Sequence, residues 1–199
     1  MSARVLITGA RGGIGGAAAE ALRARGAQVV GLDLEGDGAD VLACDVRDQA
    51  AVDAAVAEAI GRLVRGRGGR TLADVWDGSP HAHMGATVPG IPNLFMLLGP
   101  NTGLGHSSMV YMIESQIAYV MDALRAMRET GAAIVEVKPE AERAYNEEVR
   151  RRMQGTVWET GCTSWYQDAK GNIPTLWPDW TWRFRRRTAH FDPSEYVLA

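Results

Sequence analysis

The sequence predicts an α/β fold, and three observations carry that expectation. Near the start, the short apolar run Val5-Leu6-Ile7 ends in a glycine-rich turn, Gly9 to Gly16, and strong helix formers follow. The same order of strand, glycine turn and helix recurs between Pro92 and Glu114. The 199 residues are 46% hydrophobic and 23% charged, which is the balance of a packed chain and not of a disordered one. That length suits one large domain or two small ones. A net charge of −3 gives no ground for nucleic acid or an acidic membrane surface as a partner. No apolar run reaches membrane-spanning length, and the one after Met1 is too short for a signal peptide. Cys44 and Cys162 stand far apart and fit neither a disulfide framework nor a zinc spacing, so a reducing, cytoplasmic compartment is expected. Assembly into a homo-oligomer is left open.

The first element is the strand Val5 to Ile7, closed by Thr8-Gly9. The turn Ala10 to Gly16 leads into a helix over Ala17 to Arg25, with Gly26 as its stop. Gln28 to Asp33 reads as a second strand. Glycines between a strand and a helix let the backbone turn tightly and approach a pyrophosphate at the helix N-terminus. Asp33, about 20 residues further on, can accept hydrogen bonds from a ribose diol. The unit can also be read as a βαβ motif whose glycines only allow close helix–strand packing. Val41 to Cys44 is a further short run, and Asp48 to Leu63 reads as a helix with Val52, Val56, Ile60 and Leu63 on one face.

The spacing Thr8-Gly9-x-x-x-Gly13-Ile14-Gly15 resembles the short-chain dehydrogenase/reductase family. The resemblance implies that Gly9, Arg11, Gly13, Ile14 and Gly15 hold the pyrophosphate of NAD. Asp33 falls where that family places its ribose acid, which implies NAD over NADP, and Asp45-Val46 looks like its adenine-contacting pair. The family's next strand, with its Asn-Asn-Ala-Gly type motif, does not follow. The resemblance therefore covers residues 1–64, a partial Rossmann-like βαβα segment.

Val64 to Arg70 is basic, glycine-rich and without apolar period, and reads as a junction. Residues 65–199 form the second segment. Thr71 to Trp76 precedes a loop with His81 and His83, which lack a third ligand nearby, so no metal site is expected. Leu94 to Leu98, between Pro92-Asn93 and Gly99-Pro100, reads as a strand buried on both faces. After the turn Gly99 to Gly105, Ser107 or Ser108 can cap a helix to about Arg128. Its expected buried stripe is Val110, Ile113, Ile117, Val120, Met121, Leu124 and Met127. Gly131 stops it, Ala133 to Val137 is a strand, and Pro139 opens a charged helix to Met153. Five of the six tryptophans fall between Trp158 and Trp182, as bodies that close a cavity or cover a sheet. Arg183, Arg185, Arg186 and Arg187 read as a solvated edge.

Pro92-Asn93-Leu94-Phe95, Gly99-Pro100-Asn101-Thr102-Gly103, Glu114 and the tract Trp158 to Pro178 together resemble the carboxy-terminal part of Baeyer–Villiger and related flavin-containing monooxygenases. The resemblance implies the C-terminal portion of a flavoprotein monooxygenase FAD domain. Gly99, Pro100, Asn101, Thr102, Gly103 and Leu104 would border the flavin, with Met109 on the substrate side. The implied activity is FAD-dependent oxygen insertion next to a ketone, with NADPH as reductant. That family's amino-terminal GxGxxG and its NADPH-binding domain do not occur in these residues, so a catalytically incomplete pairing of two segments is expected. The rivals are an NAD-dependent reductase of a small ketone or alcohol, and a non-catalytic nucleotide-binding remnant. Tyr166 and Lys170 have the Tyr-x-x-x-Lys spacing of a reductase acid/base pair, but Gly171 and Pro174 follow at once and weaken the helix that pair needs.

Overall fold

The computed structural model describes residues 4–45, 47–105, 107–159 and 166–199; Val46 and Cys162 lie outside them, as does the side chain of Leu63. Two compact units divide between Arg65 and Gly66.

The first unit is an α/β layer. Strands β1 (Arg4–Thr8), β2 (Gln28–Asp33) and β3 (Val41–Ala43) form a parallel sheet in the order β1-β2-β3. Helix α1 (Gly13–Ala24) makes the crossover from β1 to β2, residues 34–40 link β2 to β3 without a helix, and α2 (Gln49–Leu63) follows β3. Helix α1 starts at Gly13, four residues before the expected start, because the glycine turn itself winds into its first turn. Gly26, at φ +81°, ends it. Val30, Leu32, Leu42, Cys44, Ala55 and Ala59 make the core, with Val52 and Val56 packed on it. Asp48 caps α2 by accepting from the amides of Ala50 and Ala51. Among the described residues β1 and β3 each pair with β2 alone, so both edge strands lack an outer partner, and Leu6 of β1 is exposed.

The second unit is built around α4 (Met109–Thr130). A short helix α3 (Leu72–Trp76) precedes it, opened by a Thr71/Asp74 capping box. After α4 come β4 (Val135–Val137), α5 (Pro139–Met153), α6 (Thr181–Arg187) and β5 (Tyr196–Leu198). Strands β4 and β5 pair antiparallel, Val137 opposite Tyr196. The core joins Met112, Tyr119, Ala123, Val137, Tyr145, Phe184 and Tyr196. Tyr119 and Tyr196 share a 2.7 Å hydrogen bond between hydroxyls, and Thr87 joins Tyr196 at 3.0 Å. Burial pushes both tyrosine hydroxyls upward, so they stay neutral hydrogen-bonding groups.

Two expectations fail here. Leu94 to Leu98 is not a strand: Asn93 and Leu98 have φ of 59° and 55°, and the segment runs as a loop with Leu97 and Leu98 exposed. Its amides bond outside any ladder, Met96 to the Ala86 carbonyl and Asn93 to that of Val135. A buried strand needs partners on both edges, and none are present among the described residues. The buried face of α4 is also not the aliphatic stripe. Val110, Ile117, Met121 and Leu124 are exposed, and Met112, Ser115, Gln116, Tyr119 and Ala123 face the core instead. The Gln116 amide donates to the carbonyls of Met84 and Gly85 and accepts from the amide of Leu98. Those bonds fix the rotation of the helix, and a count of aliphatic periodicity cannot see them.

The two loop histidines are tied to carboxylates: His81 Nδ1 lies 2.6 Å from Glu142 and His83 Nε2 lies 3.1 Å from Glu195. The hydrogen bond to Glu142, against partial burial, raises the His81 pKa above its ordinary 6.5. A raised histidine pKa contributes stability that is whole below about 6.5 and fades as pH climbs through the folded-state value. The second unit is therefore expected to lose stability on the alkaline side of 6.5, by an amount discounted for partial exposure. An NMR titration of the His81 ring, with Glu142→Gln alongside, checks this. A midpoint at or below the ordinary value in the unaltered chain contradicts it.

Candidate functional site

Each unit carries one strand- or loop-to-helix turn that could meet a ligand. In the first unit the turn leaves β1 at Gly9, whose amide donates to the Leu32 carbonyl at 2.8 Å. Gly9 has φ +66°, a conformation that suits glycine. A Cβ on Gly15 would lie 2.1 Å from the Gly9 carbonyl oxygen, so only glycine lets α1 approach β1 this closely. A Cβ on Gly13 would meet nothing within 4 Å. The N-cap, Gly12, offers no side-chain cap, and the first turn of α1 holds no acid. Its leading N–H groups thus end in an uncapped, positive helix terminus suited to an anion. Ile14 is 91% exposed beside it. Asp33 ends β2 next to the turn and accepts from the amides of Arg11 and Leu34, both at 2.8 Å. Those two backbone bonds hold its carboxyl below the usual range, so it remains an ionised acceptor. The Arg11 side chain turns toward Glu35, at 3.9 Å. Asp45 is held by Arg47, with the closest contact 2.7 Å; its expected partner Val46 lies outside the described residues. The cradle, the open face at Gly13 and the acid together fit the pyrophosphate and ribose of a dinucleotide.

In the second unit the turn Gly99 to Gly105 is locked from behind. Thr102 is fully buried and donates to the Gly99 carbonyl at 2.6 Å. Asn101, in the left-handed region at φ 57°, gives its side-chain amide to the carbonyls of Ile173 and Leu176. The backbone amides of Asn101 and Gly103 go to the carbonyls of Pro174 and Thr175. Gly103 and Gly105 are glycines of contact: a Cβ would press on the Thr175 carbonyl oxygen at 2.6 Å and on the Trp158 indole at 2.6 Å, respectively. Pro100, Asn101 and Thr102 are therefore buried clamps. Gly103, Leu104 and Met109 keep partly exposed surface. Ser108 precedes α4 without a side-chain cap bond, so the first N–H groups of that helix are also uncapped.

Tyr166 and Lys170 stand in a turn, not on a helix, with Asp168 accepting from the amide of Gly171. The Tyr166 ring packs edge-on against Trp158 and Lys170 pairs with Asp77 at 2.7 Å. The helix that an acid/base pair of that spacing needs is not formed. Sequence reasoning missed the locking contacts between the turn and residues 173–176, which join positions about seventy apart. It also missed α6 and β5. The one legible hint was the Asn101 between Pro100 and Thr102, since asparagine tolerates the left-handed conformation. Among the described residues no helix is long and apolar enough to cross a membrane, and no group of His, Cys, Asp and Glu could hold a metal ion.

Residues 5–67 match the NAD dependent epimerase/dehydratase family. The C-terminal part matches Baeyer–Villiger monooxygenases. Identity to the one from Pseudomonas aeruginosa is 53% over 138 residues, covering 68% of this chain and 26% of that protein. The one from Streptomyces coelicolor is 48% identical over 141 residues, covering 70% and 27%. Other relatives are FAD-binding monooxygenases. Oxidized steroid monooxygenase bound to NADP superposes with TM-score 0.60 at 28% identity, over 71% of this chain and 27% of that one. The chain spans about a quarter of the length of the curated relatives it matches.

Proposed function

We propose that residues 66–199 are the flavin-facing end of a Baeyer–Villiger-type monooxygenase and that residues 1–65 are an NAD-binding segment of short-chain-dehydrogenase type. The 53% identity over 138 residues carries the first half of that reading. The uncapped start of α1, the glycine contacts beneath it and Asp33 support the second. The reaction class is oxidation of a small ketone by oxygen with NADPH as reductant; bound FAD would supply the oxygen-activating chemistry. The chain's own part is to place Gly103, Leu104 and the first N–H groups of α4 at the ring's carbonyl edge, with Met109 at the substrate side. Helix-terminal N–H groups stabilise negative charge at such an edge. The stripe Val110, Ile117, Met121 and Leu124 is an exposed apolar helix face on a chain that spans about a quarter of the length of its relatives. The 199 residues alone are therefore proposed to be catalytically incomplete. The free, buried Cys44 fits a reducing cytoplasmic setting.

Titrating the purified chain with FAD tests this. Quenching of flavin fluorescence on binding is expected, without NADPH-driven oxygen uptake. A chain that takes up no FAD contradicts the flavin half, and steady ester formation from a ketone contradicts the incompleteness.

A further inference from the structure

Four arginines converge on one cavity in the second unit, between the end of α5 and α6. It has a volume of about 400 Å³ and is lined by Arg152, Arg183, Arg186 and Arg187, with Trp177, Trp182 and Asp179. Arg152 and Arg183 share Asp179, at 2.8 and 3.1 Å. Arg152 and Arg187 share Glu148, both at 2.8 Å. Arg186 pairs with no carboxylate among the described residues. Four guanidinium groups are thus set against two carboxylates, which leaves two positive charges on a concave surface. Arg183, Arg185 and Arg186 are exposed, as the sequence suggests, and Arg187 is half-buried. Glu148 and Asp179 hold three of the four that line the cavity, the Arg183 guanidinium lies 5.2 Å from the Trp182 ring centre, and that of Arg187 lies 5.1 Å from that of Tyr145.

Guanidinium N–H groups match the oxygens of a phosphate, and the residual charge matches its two negative charges. A volume of about 400 Å³ is the size of a small-molecule site. We infer that this arginine cavity binds the phosphate group of a small phosphate-bearing molecule, independently of any flavin or NAD. The indoles of Trp177 and Trp182 provide the wall for what the phosphate carries.

Tryptophan emission of the full chain, titrated at low ionic strength with inorganic phosphate, ribose 5-phosphate and AMP, tests the inference. A saturable change is expected and should weaken with added salt. The order of the three affinities separates free phosphate, a sugar phosphate and a nucleotide as the source. Arg186→Gln removes a side chain that supports no ion pair, so the fold should survive, and all three affinities should fall about tenfold or more. Arg186→Lys keeps the charge without the fork and should restore part of the loss. No saturable change with any of the three, or affinities untouched by Arg186→Gln, overturns the inference. So does a single-stranded oligonucleotide that binds far more tightly than AMP, with a salt slope of several phosphates.

Discussion

Gly85→Ala is expected to lower the stability of the second unit by about 2–5 kcal/mol, the sum of a left-handed backbone penalty and an overpacking cost. Gly85 has φ +60°. A methyl there would stand 2.2 Å from Thr102 Cγ2, 2.8 Å from the Pro100 carbonyl oxygen and 3.2 Å from Gln116 Nε2. None of these can give way cheaply. Thr102 is wholly buried and bonded to Gly99, and Gln116 holds the Met84 and Gly85 carbonyls. The approach is mutual, because a Cβ on Gly99 would lie 2.3 Å from the Gly85 carbonyl oxygen. Two backbones cross here, and the crossing sets the height of the Gly99 to Gly105 turn. Gly78 supplies the control: its φ is +78°, yet a Cβ would meet nothing within 4 Å. Gly78→Ala should cost only the backbone share, about 1–2 kcal/mol. Urea melts of both variants separate conformation from contact, and equal midpoints would show that the crossing is not tightly packed.

The sequence made the local parts of this fold legible and hid the parts that depend on distant partners. Thr8 to Gly16 could be read because a strand end, a glycine turn and a helix start are neighbours in the chain. Pro139 to Met153 could be read because Pro139 fits the first helical turn and Gly131 had already closed the helix before it. Leu94 to Leu98 misled because an apolar run bounded by turn residues looks like a buried strand whether or not its neighbours exist. The α4 stripe misled for a related reason. Its aliphatic face is real at helical spacing, but the core of this unit takes the face with Gln116 and Tyr119, whose value lies in bonds to Gly85, Leu98 and Tyr196. At the candidate sites, the glycines were legible as glycines. Which of them turn the chain, which admit a neighbour and which leave space for a ligand was not, since the answer depends on what stands opposite each Cα.

That difference gives the second large effect, in the first unit. Gly15→Ala should abolish its fold, and Gly13→Ala should leave the fold intact while removing the nucleotide. At Gly15 the added methyl meets only backbone, the Gly9 carbonyl at 2.1 Å and the Thr8 oxygen at 3.2 Å, so relief requires moving α1 off β1. That contact between the first strand and its helix anchors a three-stranded sheet with two unpaired edges, and a loss of about 3 kcal/mol is large for so small a unit. At Gly13 the methyl points into open space at the first position of α1, where alanine is a better helix former than glycine, so stability should hold or rise slightly. The same open space is where a pyrophosphate would approach the uncapped amides, so NAD affinity should fall by at least about tenfold, or ~1.4 kcal/mol. Circular dichroism reports the first outcome and calorimetric titration with NAD the second. If Gly13→Ala binds NAD as well as the unaltered chain, the open space at Gly13 is not where the pyrophosphate approaches, and if the unaltered chain binds no NAD the nucleotide reading of this unit fails. If Gly15→Ala melts like the unaltered chain, the close approach of α1 to β1 is not what holds the turn in place.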